Sequence, residues 1–233
     1  RDNSGEAEAS LFFEMKETQK VIKVGIYGGS GYTGQELMRL LINHPDAQVV
    51  AATSRRFAGI PVEEVYPVFS GMTDLVYTDA SPEAVADLAD IVFLALPHGI
   101  AMEFVPVFLQ AGRKVIDLSA DFRIHAAATY EAWYGRHKTP GTLGEAVYGL
   151  PELHRDEIRN TRLVANPGCY PTSIILGLAP VLKSHWIDTD SVIADSKSGV
   201  SGAGRDPQIA SLFCEVAEGF KAYKVGGHRH TPE

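Results

Sequence analysis

Short apolar runs alternate with helical patterns from Lys20 to about Ala165, and this alternation is the strongest structural signal in the chain. Val21-Ile22-Lys23-Val24-Gly25-Ile26-Tyr27 reads as a first strand, after which Leu37, Leu40 and Leu41 recur at helical spacing within Gln35 to Ile42. Asn43-His44-Pro45-Asp46 ends that helix, and Gln48 to Thr53 predicts a second strand. Ile91 to Ala95 and Val115 to Leu118 predict two more strands, separated by a helical pattern over Ala101 to Ala111. Nearly continuous apolar strands with helices between them specify a parallel sheet covered on both faces. The fold class is α/β, with a doubly wound, mostly parallel sheet.

Beyond Ala165 the texture changes. Ser173 to Leu182 reads as a buried helix, and Ser191 to Ser196 as a strand leading into the glycine-rich run Ser198 to Gly204. Gln208 to Ala217 has a helical pattern, with Cys214 in an apolar stripe beside Leu212 and Phe213, a core position. The expected organisation is a first domain over 20–165 and a second, α+β domain over 166–233, incomplete in this chain. Residues 1–19 are expected to be a leader outside the fold. Arg1 to Glu14 is polar and acidic apart from Leu11-Phe12-Phe13, and Met15-Lys16-Glu17 reads like a natural start.

Composition narrows the class. The 233 residues are 45% hydrophobic and 21% charged, as in ordinary globular proteins. The net charge of −8 argues against nucleic acid or an anionic membrane as a partner, but leaves room for a small anionic substrate held by local charges. Cys169 and Cys214 are too few for a disulfide scaffold and fit a reducing compartment. With no span-length apolar run, no secretory signal and no transit-peptide composition, the expected location is cytoplasmic.

The first strand runs into Gly28-Gly29-Ser30-Gly31-Tyr32-Thr33-Gly34, a glycine turn opening a helix. In that setting glycines permit a tight turn and the close approach of a dinucleotide pyrophosphate to the helix N-terminus. A Rossmann-type domain is therefore expected, with Gly28, Ser30, Gly31, Tyr32, Thr33 and Gly34 against the cofactor. The second strand ends in Thr53-Ser54-Arg55-Arg56. It lacks the carboxylate that would bond a ribose 2′-hydroxyl, while hydroxyls and guanidiniums suit a 2′-phosphate. This favours NADP(H), with Ser54, Arg55 and Arg56 as its readers. Pro97, at the carboxyl end of a later strand, lies where ligands of open α/β sheets gather, and His98 beside it reads as a wall of the same cleft.

Ala165-Asn166-Pro167-Gly168-Cys169-Tyr170-Pro171-Thr172 places a cysteine at the mouth of a helix, with Pro171 in its first turn. The unpaired N–H groups and the positive end of the helix dipole there favour thiolate, the form that attacks carbonyls.

Several segments together resemble the N-acetyl-gamma-glutamyl-phosphate reductase family, relatives of aspartate-semialdehyde dehydrogenase. They are Gly28 to Leu37, Leu94 to Gly99, Val115 to Arg123, Tyr148 to Glu152, Ala165 to Thr172, Ser198 to Arg205 and Gly227 to Glu233, in the family's order. The resemblance implies NADPH-dependent reduction of a small-molecule acyl phosphate to an aldehyde, in a homo-oligomer when full length. It places the nucleophile at Cys169 and its histidine partner at His228. Cys169 would expel phosphate to give a thioester, and hydride would then give a thiohemiacetal that releases the aldehyde. Family members continue well past Glu233.

The remaining candidates keep two readings each. His230 lies two residues from His228 and is assigned to substrate; no plausible third ligand lies nearby in sequence, so no metal is expected. Asn166 either supports Cys169 and the developing oxyanion or is an ordinary turn residue. Arg123 either binds the substrate's phosphate or carboxylate or pairs with Asp121 or Glu131, and Arg205 has the same two readings. Ser201 and Gly202, in the second glycine run, are assigned to the nicotinamide end of the cofactor. The alternatives are a sister reductase acting on aminoadipyl or aspartyl phosphate, or a non-catalytic NADP-sensing protein.

Overall fold

The computed structural model describes residues 20–233; the expected leader over 1–19 lies outside the described residues. A glycine turn separates β1 (Ile22–Tyr27) from α1 (Tyr32–Leu41), and β2 (Ala47–Ala52) follows. Then come α2 (Val62–Val65), α3 (Pro82–Leu88), β3 (Ile91–Leu94), α4 (Ala101–Gln110) and β4 (Lys114–Asp117). The sheet is completed by α5 (Ala127–Tyr134), β5 (Ala146–Tyr148), α6 (Pro151–Asn160) and β6 (Leu163–Ala165), after which come α7 (Cys169–Lys183) and the one-turn α8 (Phe213–Val216).

All pairings in the six-stranded sheet are parallel, in the order β2-β1-β3-β4-β6-β5. The chain steps from β1 to β2 on one side and then returns to β3 on the other, so strand order reverses at β1. That reversal opens a crevice at the carboxyl ends of the strands, where this class of sheet binds ligands. The glycine turn after β1, the Pro97-His98-Gly99 loop after β3, the turn after β4 and the Cys169 loop after β6 all lie on that edge.

The core is uneven across the sheet. One apolar cluster joins α3 and α4 to β3, β4 and β6 through Val85, Met102, Phe108, Val92, Val115 and Leu163. A second joins α1 to β1 and β2 through Met38, Ile26 and Ala52. Along β3 and β4 the burial alternates, leaving Phe93 and Ile116 half-buried. The expectation of strands covered on both faces therefore holds only in part, because α1 reaches just the β1–β2 end of the second face.

The last third departs further from the pattern in the sequence. α7 forms, but Pro171 is its only fully buried residue, so the expected buried helix is half-exposed. Ser191 to Ser196 is not a strand: no strand lies beside it among the described residues, and Ile193 is 91% exposed. A strand needs a neighbour to partner its N–H and C=O groups, which periodicity cannot supply. Gln208 to Ala217 yields a 3-10 turn at Ile209–Ser211 and the short α8 rather than one helix, and Cys214 is exposed rather than core.

Glycines in the first turn have separable roles. Gly28 has φ +89°, and a Cβ there would meet the Ala95 carbonyl at 2.6 Å; one on Gly34 would meet the Gly29 carbonyl at 2.3 Å. A Cβ on Gly31 would meet no protein atom within 4 Å. Gly34→Ala should therefore destabilise the protein by about 3 kcal/mol or more, an overpacking cost with no soft neighbour to relieve it. Gly31→Ala should leave Tm within a few degrees of the parent in thermal unfolding, while weakening dinucleotide binding.

Candidate active site

At the dinucleotide turn, α1 starts with Gly31 as its cap residue, no side chain capping it and no acidic residue in its first turn. The turn is braced from β2: Gly28 N–H donates to Thr53 Oγ1 at 2.9 Å and Gly29 N–H to the Thr53 carbonyl at 2.8 Å. Ser30 and Ser54 share a hydroxyl–hydroxyl bond of 2.7 Å. Tyr32 and Thr33 are exposed in the first turn of α1. An uncapped helix start with open space over Gly31 is a shape that a pyrophosphate fits. Ser54 is buried, while Arg55 and Arg56 project outward from the end of β2.

Pro97 and His98 are on the opposite wall. His98 Nδ1 accepts from Ala120 N–H at 2.9 Å, which fixes the ring. Partial desolvation, then the charges of Arg123 and Arg229, hold its pKa below the ordinary imidazole range. Buried Asp121 holds this loop by accepting from Gly99 N–H at 2.7 Å, Met102 N–H at 3.3 Å and the Tyr130 hydroxyl at 2.8 Å.

Cys169 is exposed at the first position of a 15-residue helix, with Gly168 as its cap residue. The segment carrying His228 and His230 lies against it. The His228 ring is 5.2 Å from the Tyr170 ring and 4.8 Å from the His230 ring. A Cβ on Gly168 would come within 2.6 Å of His230 Nε2, so only glycine admits this approach. The two imidazoles thus pack on the residues that flank Cys169 in the chain. Desolvation lowers both: His228 lies below its usual range, and His230 is pushed down to about 4. The buried His230 Nδ1 has no hydrogen-bond partner among the described residues. Asn166, two residues before Gly168, has its amide on the Pro167 carbonyl at 3.2 Å.

The sequence reading missed the group that assembles this site. Glu233, its side chain 1% exposed, accepts from Gly168 N–H at 2.7 Å and from the Tyr148 hydroxyl at 2.9 Å through Oε1. Its Oε2 accepts from Arg123 Nη1 at 3.2 Å. Arg123 also donates to the Asn166 carbonyl at 2.7 Å and the Leu118 carbonyl at 3.0 Å. The Tyr134 hydroxyl adds a bond to the Arg229 carbonyl at 2.7 Å. Arg123 is therefore committed to a buried pair and two carbonyls, rather than to the surface pair with Asp121 or Glu131 or to an open anion site. Its partner lies 110 residues away, and no local spacing signals such a contact.

Arg205 likewise sits away from Cys169: its Nη1 donates to the Ser30 carbonyl at 3.0 Å, at the dinucleotide turn. Ser201 and Gly202 lie exposed in the 3-10 turn Val200–Ala203 that precedes it.

A parallel sheet whose strand order reverses beside a glycine turn, with an exposed cysteine opening a helix on the same edge, defines a Rossmann-type dinucleotide-binding architecture. The comparisons with known proteins agree. Residues 23–161 match the family model described as semialdehyde dehydrogenase, NAD binding domain, and residues 169–233 match semialdehyde dehydrogenase, dimerisation domain. The chain belongs to the semialdehyde dehydrogenase family. The N-acetyl-gamma-glutamyl-phosphate reductase of Syntrophobacter fumaroxidans is 58% identical over 213 residues, 91% of this chain and 62% of that protein. The enzyme of the same name from Desulfotalea psychrophila is 56% identical over 214 residues, again 91% and 62%. The chain thus spans about 62% of the length of these curated relatives. Among solved structures, the aspartate semialdehyde dehydrogenase of Candida albicans with NADP matches with TM-score 0.53 at 19% identity, covering 72% of this chain and 48% of that one. Aspartate semialdehyde dehydrogenase II of Vibrio cholerae matches with TM-score 0.52 at 16% identity, covering 71% and 47%. These two likenesses bear on the fold. Among the described residues no helix is long and apolar enough to cross a membrane, and no group of three His, Cys, Asp or Glu side chains could hold a metal ion.

Glu233→Ala leaves a buried guanidinium without its counter-charge and should cost about 3–5 kcal/mol. In a double-mutant cycle with Arg123→Ala, the combined loss should fall well short of the sum, as read by denaturant unfolding. Asp117, fully buried at the end of β4, has its carboxyl pushed up to about 7 by burial, against the pull of Ser119 N–H. The unfolded carboxyl titrates near ~4, so between there and about 7 the native state holds the extra proton and stability falls as pH rises. Asp117→Asn should flatten that slope, giving a smaller drop in Tm from pH 5 to pH 8 than the parent shows.

Proposed function

We propose that this chain carries the cofactor-binding and nucleophile-bearing parts of an NADPH-dependent reductase that converts N-acetyl-gamma-glutamyl phosphate to N-acetylglutamate 5-semialdehyde, releasing phosphate, in arginine biosynthesis. The observation that carries this reading is the exposed Cys169 at the start of α7, with His228 against Tyr170 and His230 against Gly168, on the edge that also holds the dinucleotide turn. The names of the relatives at 56–58% identity point to the substrate. The proposed domain organisation is a cofactor domain over 20–165 and a catalytic domain beginning at 166. The family model over 169–233 carries a dimerisation name, which supports a homo-oligomer. A biosynthetic role of this kind fits a cytoplasmic location.

In the proposed reaction the Cys169 thiolate attacks the acyl carbon, the carbon–phosphate oxygen bond breaks, and phosphate leaves with both electrons of that bond. The product on Cys169 is a thioester, a better hydride acceptor than a carboxylate. Bound reduced nicotinamide supplies the hydride, and the resulting thiohemiacetal collapses to aldehyde as Cys169 leaves. His228 takes the thiol proton and later handles the proton on the tetrahedral oxygen, an exchange for which imidazole is suited. Neutral His230, held against Gly168, is placed to bond the substrate without adding charge. Asn166 contributes by holding the Cys169 loop rather than through its amide, which bonds Pro167.

The test runs the reaction backwards, with N-acetylglutamate semialdehyde, phosphate and NADP, on this chain and on the protein extended past Glu233. Phosphate-dependent NADPH formation should appear, be lost by about 10³-fold or more in Cys169→Ala, and be absent with aspartate semialdehyde. Activity that survives the substitution would sink the thioester route, and preference for aspartate semialdehyde would transfer the assignment to the sister reaction.

A further inference from the structure

Arg205 reaches the dinucleotide turn from 175 residues away in sequence. Its guanidinium lies over the Tyr66 ring at 4.5 Å and over the Phe57 ring at 5.2 Å. The Arg56 guanidinium also lies 5.2 Å from the Phe57 ring centre. Among the described residues neither arginine pairs with a carboxylate. Two cations gathered on one ring repel each other, and cation–π attraction of about 0.5–1 kcal/mol each leaves their charge unneutralised. Such a pair is complementary to an anion.

The surroundings say which anion. Ser54 stands at the end of β2, where this fold places the ribose 2′ position, and it bonds Ser30 across 2.7 Å. Ser54 Oγ also accepts from Phe57 N–H at 3.3 Å, so the hydroxyl pair and the stacked ring form one connected cluster. The Tyr66 hydroxyl, at 2.8 Å, and Arg205 Nη1, at 3.0 Å, converge on the Ser30 carbonyl. That bond uses one of the guanidinium's N–H groups and leaves the rest of the fork for a ligand. The pyrophosphate has its own place at the start of α1, over Gly31.

We propose that Arg205 is a cofactor-specificity residue. Together with Arg56 and the Ser30–Ser54 hydroxyl pair it forms the site for the 2′-phosphate of NADP, and phosphate bound there ties the second glycine run to the nucleotide domain. The inference rests on the reading of NADP as cofactor, and it moves Arg205 from the substrate to the adenosine end of the dinucleotide.

The test is calorimetric titration of the 233-residue chain with NADP+, NAD+, adenosine 2′,5′-bisphosphate and 5′-AMP; the last two differ only in the 2′-phosphate. Arg205→Ala should weaken NADP+ and the bisphosphate by about ten-fold or more while NAD+ and AMP change by less than about two-fold, since a charge-assisted contact is lost only where the phosphate is present. Unchanged NAD+ binding also shows that the variant is folded. Arg205→Lys should fall between, because lysine keeps the charge but loses the stacked planar fork. If Arg205→Ala keeps the parent's preference for NADP+, the inference fails while the cofactor reading stands. An equal loss for all four ligands would reduce Arg205 to a brace on the Ser30 carbonyl and overturn it. A parent chain that binds NADP+ no more tightly than NAD+ would overturn both.

Discussion

A buried carboxylate, Glu233, holds together what the sheet alone leaves apart. Parallel strands bring the loops after β1, β3, β4 and β6 to one edge, but a shared edge does not fix a loop's conformation. Glu233 does so for the Cys169 loop: one oxygen receives Gly168 N–H and Tyr148, and the other receives Arg123. Arg123 in turn holds the Asn166 carbonyl, so the peptide groups leading into Cys169 are gripped from both sides. A buried ion pair adds little net stability compared with a well-packed apolar pair. What this one provides is geometry, since both carboxylate oxygens and all three guanidinium nitrogens bond a partner at a defined place.

The same logic explains why glycine recurs on this edge. At Gly34 the neighbour that forbids a side chain is the turn itself, and at Gly168 it is the imidazole of His230. At Gly31 no protein atom stands in the way, and the space left is external. Glycine in one case closes the protein on itself and in the other keeps a surface open, and only the surroundings distinguish the two.

The legible part of the fold was the part with long apolar runs. β1 to β4, α1 and α4 follow from periodicity because each carries an apolar pattern several residues long. β5 and β6 span three residues each, too short for any period to register. In the last third, the apolar patterns over 191–196 and 208–217 have no packed neighbour among the described residues to turn them into a strand or a long helix. At the site, Cys169 and the glycine turn could be singled out because their surroundings are local, set by adjacent glycine and proline. Arg123, Arg205 and Glu233 take their roles from contacts 65 to 175 residues distant, and in each the residue type was visible while the partner was not.

Chain order gives the Glu233 contact a consequence in time. Gly168 precedes its carboxylate partner by 65 residues, and the ribosome adds roughly 5–20 residues per second. For on the order of several seconds after Cys169 is made, the nascent chain holds its thiol without the segment that positions it. Every residue of the nucleotide domain is already synthesised during that interval. The carboxylate therefore reaches the Cys169 loop only after all six strands have been made, and the loop is fixed on a sheet that has had the chance to form.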